Sequence, residues 1–150
     1  MTARYIDITA IRQAVDRCCK TIEECGTCNK AQCLIGFIQT VLDYAQAKNT
    51  YRIPHGPKFI PEDDLRFYYQ NDLLEAISEV LIQCQSCQDN HEEDCVINIS
   101  RKALEQALFG DYMEFTGSIA AYLLQIGQLN PEVGQKLIAL YQAKKKEATL

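Results

Sequence analysis

Seven side chains in this sequence have the types and spacing of metal ligands. Cys25, Cys28 and Cys33 form one group, and Cys84, Cys87, His91 and Cys95 form a second group further along the chain. The second reads Cys-x2-Cys-x3-His-x3-Cys, which places four ligands in one short stretch. Zinc takes four such ligands in a tetrahedral array, sulfur at about 2.3 Å and imidazole nitrogen at about 2.0–2.1 Å, so this loop can complete a site alone. The first group offers only three ligands, because Asn29 and Gln32 are poor donors. A fourth has to come from Cys18, Cys19, the other loop or solvent.

Cys18 precedes Cys25 by one heptad on the same helical face. A seven-residue step is about 10 Å along a helix, too far for one coordination sphere, so Cys18 is expected to pack in the core as a small hydrophobe. Cys19 points about 100° away and is given no role. Three chemistries compete for the six loop thiols. A structural or regulatory zinc site comes first. An iron–sulfur cluster taking four thiolates from the two loops comes second, although neither loop has a common ferredoxin spacing. A thiol–disulfide couple comes third: Cys28 and Cys33 sit at or near a helix N-terminus, where the dipole favours thiolate. The plain alternative is that the cysteines are structural disulfides or thiols capping two hairpins.

Compartment bears on the choice. Met1-Thr-Ala-Arg-Tyr-Ile-Asp has no basic segment leading into an apolar one, and no apolar run approaches the roughly 18 residues of a membrane span. A cytoplasmic setting is therefore expected, where metal or redox roles are better founded than disulfides for paired cysteines. The chain has 150 residues, 47% hydrophobic and 23% charged, with eight cysteines and a formal net charge of −5. That is one globular domain by length and composition. The charge balance excludes a basic nucleic-acid face, and Lys144-Lys145-Lys146 is expected to be a solvated helix end. No phosphate-binding glycine loop, nucleophile elbow or His-Glu-x-x-His appears, and two histidines leave little room for acid–base catalysis. The expectation is a non-enzymatic binding or regulatory module. Its partners would be a metal ion and a protein or second copy of the chain, with neither nucleic acid nor membrane.

The elements that must position these residues are helical nearly throughout. Ile8, Ile11, Val15, Cys18, Ile22 and Cys25 make one apolar stripe, closed by Gly26. Leu34, Ile38, Val41, Leu42 and Ala45 make a second, fading at Lys48-Asn49. Residues 50–61, with Pro54, Gly56, Pro57 and Pro61, form a stiff connector. Pro61 with Glu62, Asp63 and Asp64 predicts the start of a third helix, which carries Leu74, Ile77, Leu81 and Cys84. A fourth covers about 99–109, with a start as early as Cys95 left open, and ends at Gly110, although Val96-Ile97-Asn98-Ile99 could form a short strand. The fifth places Tyr112, Phe115, Ile119, Tyr122, Leu123 and Ile126 together. Asn130-Pro131-Glu132 caps a sixth, with Val133, Leu137, Leu140 and Tyr141 facing inward.

The two cysteine groups also belong to longer matching units. Val15, Cys18, Ile22, Cys25 and Cys28 align with Leu74, Ile77, Leu81, Cys84 and Cys87. After a short insertion, Cys33, Ile35, Leu42 and Ala45 meet Cys95, Ile97, Leu104 and Ala107 identically. An all-α six-helix bundle follows, with residues 8–48 and 62–109 as duplicated helical hairpins and a C-terminal hairpin at 111–148. In an up-down-up-down bundle both cysteine loops would share one end. His55 would then lie at the other end, unless the connector folds back along the bundle.

Overall fold

The computed structural model describes residues 7–19, 33–62, 64, 68–84, 94–111, 113 and 118–148. Among these the elements are α1 (Ile8–Asp16), α2 (Leu34–Lys48), α3 (Gln70–Cys84), α4 (Val96–Phe109), α5 (Ile119–Leu129) and α6 (Pro131–Ala148), with a 3-10 turn at Gly56–Phe59. The described chain is all-helical, and its one β-type contact is an isolated antiparallel bridge between Arg52 and Cys95.

Local chemistry explains most of the helix ends. Asp7 caps α1 by accepting from the Ala10 N–H at 3.0 Å, and Ser118 caps α5 by accepting from the Ala121 N–H at 3.1 Å. Asn130 accepts from the Val133 N–H at 3.2 Å, directly ahead of Pro131 at the first position of α6. Gly110 closes α4 in the left-handed region at φ 83°, and Asn49 does the same for α2 at φ 51°. Cys33 and Cys95, the third thiols of the two units, are the N-cap residues of α2 and α4.

Three expected boundaries differ, and the open start of α4 is decided. The first helix ends at Asp16, well short of Cys25; Cys18 and Cys19 turn away through i→i+3 bonds to Val15 and Asp16, while Ile22, Cys25 and Gly26 lie outside the described residues. The third helix begins at Gln70, and Glu62, Asp64 and Tyr68 are non-helical, because the Asp64 carboxylate is drawn to another helix. Val96–Ile99 is the first turn of α4, its strand pattern overridden by burial on every side. The fifth helix begins at Ile119; Asp111 and Met113 are non-helical, and Tyr112 and Phe115 lie outside the described residues.

Packing fixes the topology. α1 lies antiparallel to α2: Arg12 pairs with Asp16 and Asp43, Gln39 donates to Asp16 at 2.7 Å, and Gln46 reaches Thr9. α1 also lies antiparallel to α3, since the Asp7 N–H donates to Gln83 Oε1 at 2.9 Å near the far end of α3. α2 packs on α4 and α3 on α4, which closes a square in the order α1, α2, α4, α3. α6 covers α3, with Lys144 on Glu75 at 3.2 Å, and pairs with α5. There the helices touch through glycine: a Cβ on Gly134 would stand 2.5 Å from the Gly127 Cα.

In this square α2 and α3 run in the same direction, so the segment between them must return along the bundle. It does so against α4. The Ile53 N–H donates to the Asp94 carbonyl at 2.8 Å, and the Val96 N–H donates to the Tyr51 carbonyl at 2.9 Å. Gly56 passes so close that a Cβ there would overlap Ile99 Cδ1, and the Pro61 carbonyl then accepts from Gln106.

α4 is thereby enclosed, and every residue from Val96 to Glu105 is buried. Its polar side chains must find partners inside. Arg101 Nη1 donates to Glu105 Oε2 at 2.6 Å and to the Met113 carbonyl at 3.0 Å, while Nη2 donates to Asn98 Oδ1 at 2.9 Å. Glu105 accepts from the Met113 N–H at 2.8 Å and from the Tyr122 hydroxyl. The guanidinium also stands 5.4 Å from the Tyr122 ring centroid. This network ties the α4–α5 link and α5 to the core.

Candidate metal centre

The head-to-tail packing of the two hairpins separates their cysteines. Cys84 ends α3 and Cys95 caps α4 at the end of the bundle where α1 begins and α2 ends. Cys33 caps α2 at the opposite end, beside the residues that lead into α3. α2 has 15 residues, so about 22 Å of helix lies between the two ends. The expectation of neighbouring loops around one axis is therefore overturned. A single centre cannot join Cys33 to Cys84 and Cys95. The physical reason is the crossover connection, which makes the two hairpins antiparallel to each other.

Cys18, Cys19, Cys33, Cys84 and Cys95 form no disulfide with one another. Cys84 and Cys95 are buried at 8% and 3% exposure, and Cys33 is half-buried. Cys18 sits in the core at 2% exposure, as its stripe predicts, while Cys19 is exposed. Burial, with Asp72 nearby, pushes the Cys18 thiol up to about 12, so it stays protonated and inert. Cys25, Cys28, Cys87 and His91 lie outside the described residues. Among the described residues, no three or more Cys, His, Asp or Glu side chains converge as a ligand group.

At the Cys84 end the connector runs beside Asp94 and Cys95. Arg52 bridges to Cys95, and the His55 N–H donates to Asp94 Oδ1 at 3.2 Å. His55 thus lies at the same end as Cys84 and Cys95, not at the other end as expected, because α2 ends there and the connector crosses the bundle only after it. It is exposed, and its left-handed backbone, at φ 62°, precedes the 3-10 turn.

At the Cys33 end the structure adds two residues that the sequence pattern did not assign. Cys33 Sγ accepts from the Gly36 N–H at 3.5 Å and lies 3.0 Å from the Tyr68 hydroxyl. Tyr68 donates to Asp64 Oδ2, which also accepts from the Leu34 N–H at 2.8 Å. Burial first, then the hydrogen bonds to Asp64 and Cys33, push the Tyr68 hydroxyl up, so it remains a donor. Asp64 does serve a helix start, that of α2. Its place in the run Pro61-Glu62-Asp63-Asp64 pointed instead to the helix that follows it.

No protein-family model, curated protein or solved structure matches this chain, so its chemistry rests on its own residues.

Proposed function

We propose that this protein is a zinc-binding, non-enzymatic module that holds the ion in the loop from Cys84 to Cys95. One observation carries the reading: Cys84 closes α3 and Cys95 opens α4, two packed helices, at one end of the bundle. Both thiols are buried, and the sequence between them supplies Cys87 and His91 at chelating spacing. Four ligands within one loop need nothing from the distant Cys33 end. A metal held there would fasten the α3–α4 hairpin, and its binding energy would add to folding stability. The two cysteine-bearing hairpins are read as a duplication, supported by the matching N-cap positions of Cys33 and Cys95. The cytoplasm is the compartment in which such thiols stay available for metal, and the module would act through a protein partner or a second copy of itself.

The test is zinc content by elemental analysis, with a thiol titration, on protein purified without chelator. Cys84→Ser with Cys87→Ser should remove one zinc per chain and lower the melting temperature. Unchanged zinc in that variant would reject the loop as the site.

A second reading, thiol chemistry at Cys33, is favoured by one specific feature. Its sulfur sits at a helix N-terminus, where it accepts from the Gly36 N–H, and the Tyr68 hydroxyl stands 3.0 Å away. A faster reaction of Cys33 than of Cys19 with a small alkylating reagent would support it.

A further inference from the structure

Among the described residues α5 is the one α-helix without a charged side chain: it reads Ile-Ala-Ala-Tyr-Leu-Leu-Gln-Ile-Gly-Gln-Leu. We propose that its outward face is a dimer interface, on which a second copy of this chain lays its own α5 antiparallel across a two-fold axis through Leu124. The inference takes up the partner named in the reading above and assigns it a surface, and it does not depend on the zinc site.

A helix that is apolar all round is normally buried all round. The described chain covers α5 along one side only. Tyr122, Leu123 and Ile126 are buried there, with the Tyr122 hydroxyl on Glu105 of α4, and Gly127 meets Gly134 of α6. The opposite side carries Ala120, Leu124 and Gln128 at steps of four residues, and all three are exposed. Leu124 is 65% exposed, and Leu129 at the end of the helix is 60% exposed. Two of the three most exposed large apolar side chains among the described residues therefore stand on this one short helix.

Charge and symmetry select the occupant. Two copies of a chain of net charge −5 repel wherever their acidic surfaces meet, and a face without charge lets them approach with least repulsion. An oppositely charged protein would find nothing on that face to pair with. A two-fold interface must also be complementary to itself, so that where i meets j, j meets i. The stripe satisfies this, because Leu124 lies midway between Ala120 and Gln128. Two antiparallel stripes set Leu124 against the partner's Leu124 on the axis and Ala120 against the partner's Gln128 on each side, small against long. The face is modest in size. With 11 residues α5 is about 16 Å long and 10–12 Å across. That is well under the roughly 800 Å² per partner of a standard stable interface, so the dimer is weak, half-dissociated at about 10–500 µM.

Sedimentation equilibrium of the full chain from about 5 to about 500 µM reads the mass, with zinc per chain measured on the same samples. The wild type should pass from monomer towards dimer over that range. Leu124→Glu sets two like charges against each other on the axis and should weaken the dimer at least about tenfold, and Leu124→Lys should do the same. An equimolar mixture of the two variants should dimerise again. Ala47→Glu, at an exposed position of α2, should leave the dimer within about twofold of the wild type. Because Leu124 is exposed, its variants should keep the melting temperature within about 2 °C by circular dichroism. A chain that stays monomeric to the highest concentration overturns the dimer, whatever its zinc content, and leaves α5 to a different protein. A dimer indifferent to Leu124→Glu overturns α5 as the interface. Variants that dissociate singly and fail to pair in the mixture overturn the two-fold register. A zinc-free chain that dimerises through Leu124 supports this interface and rejects the metal reading alone.

Discussion

Arg101→Met should be among the most damaging single changes in this chain. The side chains of Arg101 and Glu105 are exposed by only 2% and 0%. Methionine fills much of the arginine stem, so the loss is chiefly polar. Three hydrogen bonds vanish, to Glu105, the Met113 carbonyl and Asn98, and their acceptors remain buried. Removing one partner of such a pair costs about 3–5 kcal/mol. Here the lower half of that range applies, because Glu105 keeps the Tyr122 hydroxyl and the Met113 N–H. Against a total stability of about 5–15 kcal/mol that is a large fraction. Urea unfolding followed by far-UV circular dichroism measures it, provided the slope m is unchanged. Arg101→Lys should recover little, since one ammonium cannot serve three diverging acceptors. Adding Glu105→Gln to Arg101→Met should restore about 1 kcal/mol or more, because the uncompensated charge disappears while an amide oxygen stays to accept. A loss below about 1 kcal/mol for Arg101→Met, or a double variant that simply adds two losses, would show that the pair is not the buried keystone described above.

Gly134→Ala tests the α5–α6 contact. An exposed glycine-to-alanine change in a helix would stabilise by about 1 kcal/mol, but here the new Cβ meets the Gly127 backbone. The expected result is a net loss of about 1–2 kcal/mol by the same urea assay, and a gain would disprove the close packing. Cys18 makes a prediction about alkaline pH. Its thiol ionises near 9.0 when unfolded and near 12 when folded, so its contribution is full below pH 9 and is lost as pH rises towards 12. Cys18→Ala should cost core stability at pH 7 yet flatten the fall across that window, by at most about 1.4 kcal/mol per pH unit. An unchanged alkaline slope would mean that the buried thiol is not what titrates. The raised hydroxyls of Tyr68, Tyr122 and Tyr141, each shifted first by burial, add to the same loss above about pH 10.

Much of the helical content could be read from the sequence because helix punctuation is local. Gly110, Asn49 and Asn130-Pro131 act within one turn of themselves, and the stripes of α1, α2, α3 and α6 repeat at helical spacing. The order of helices around the square was not legible that way, since the same apolar stripes serve either topology. The signal that could have found it is length. Connections between adjacent antiparallel helices run about 2–8 residues, whereas α2 ends at Lys48 and α3 begins at Gln70. A segment that long, stiffened by Pro54, Pro57 and Pro61, is able to span the bundle.

The same omission explains the misjudged site geometry. Local rules give Pro61 and the acids after it to the following helix, but tertiary packing gives Asp64 to α2 and Tyr68 to Cys33. The interior of α4 was hidden for a related reason. Arg101 and Glu105 are spaced like any solvated i,i+4 pair, and nothing in the sequence says that the connector and α5 will enclose them.

The decisive determination is the number of zinc ions per chain, read by elemental analysis on freshly purified protein and again on Cys84→Ser/Cys87→Ser. The variant is expected to hold one zinc ion fewer per chain than the native protein. A native chain that binds none, or a variant that retains the full native content, would contradict a metal-binding loop between α3 and α4.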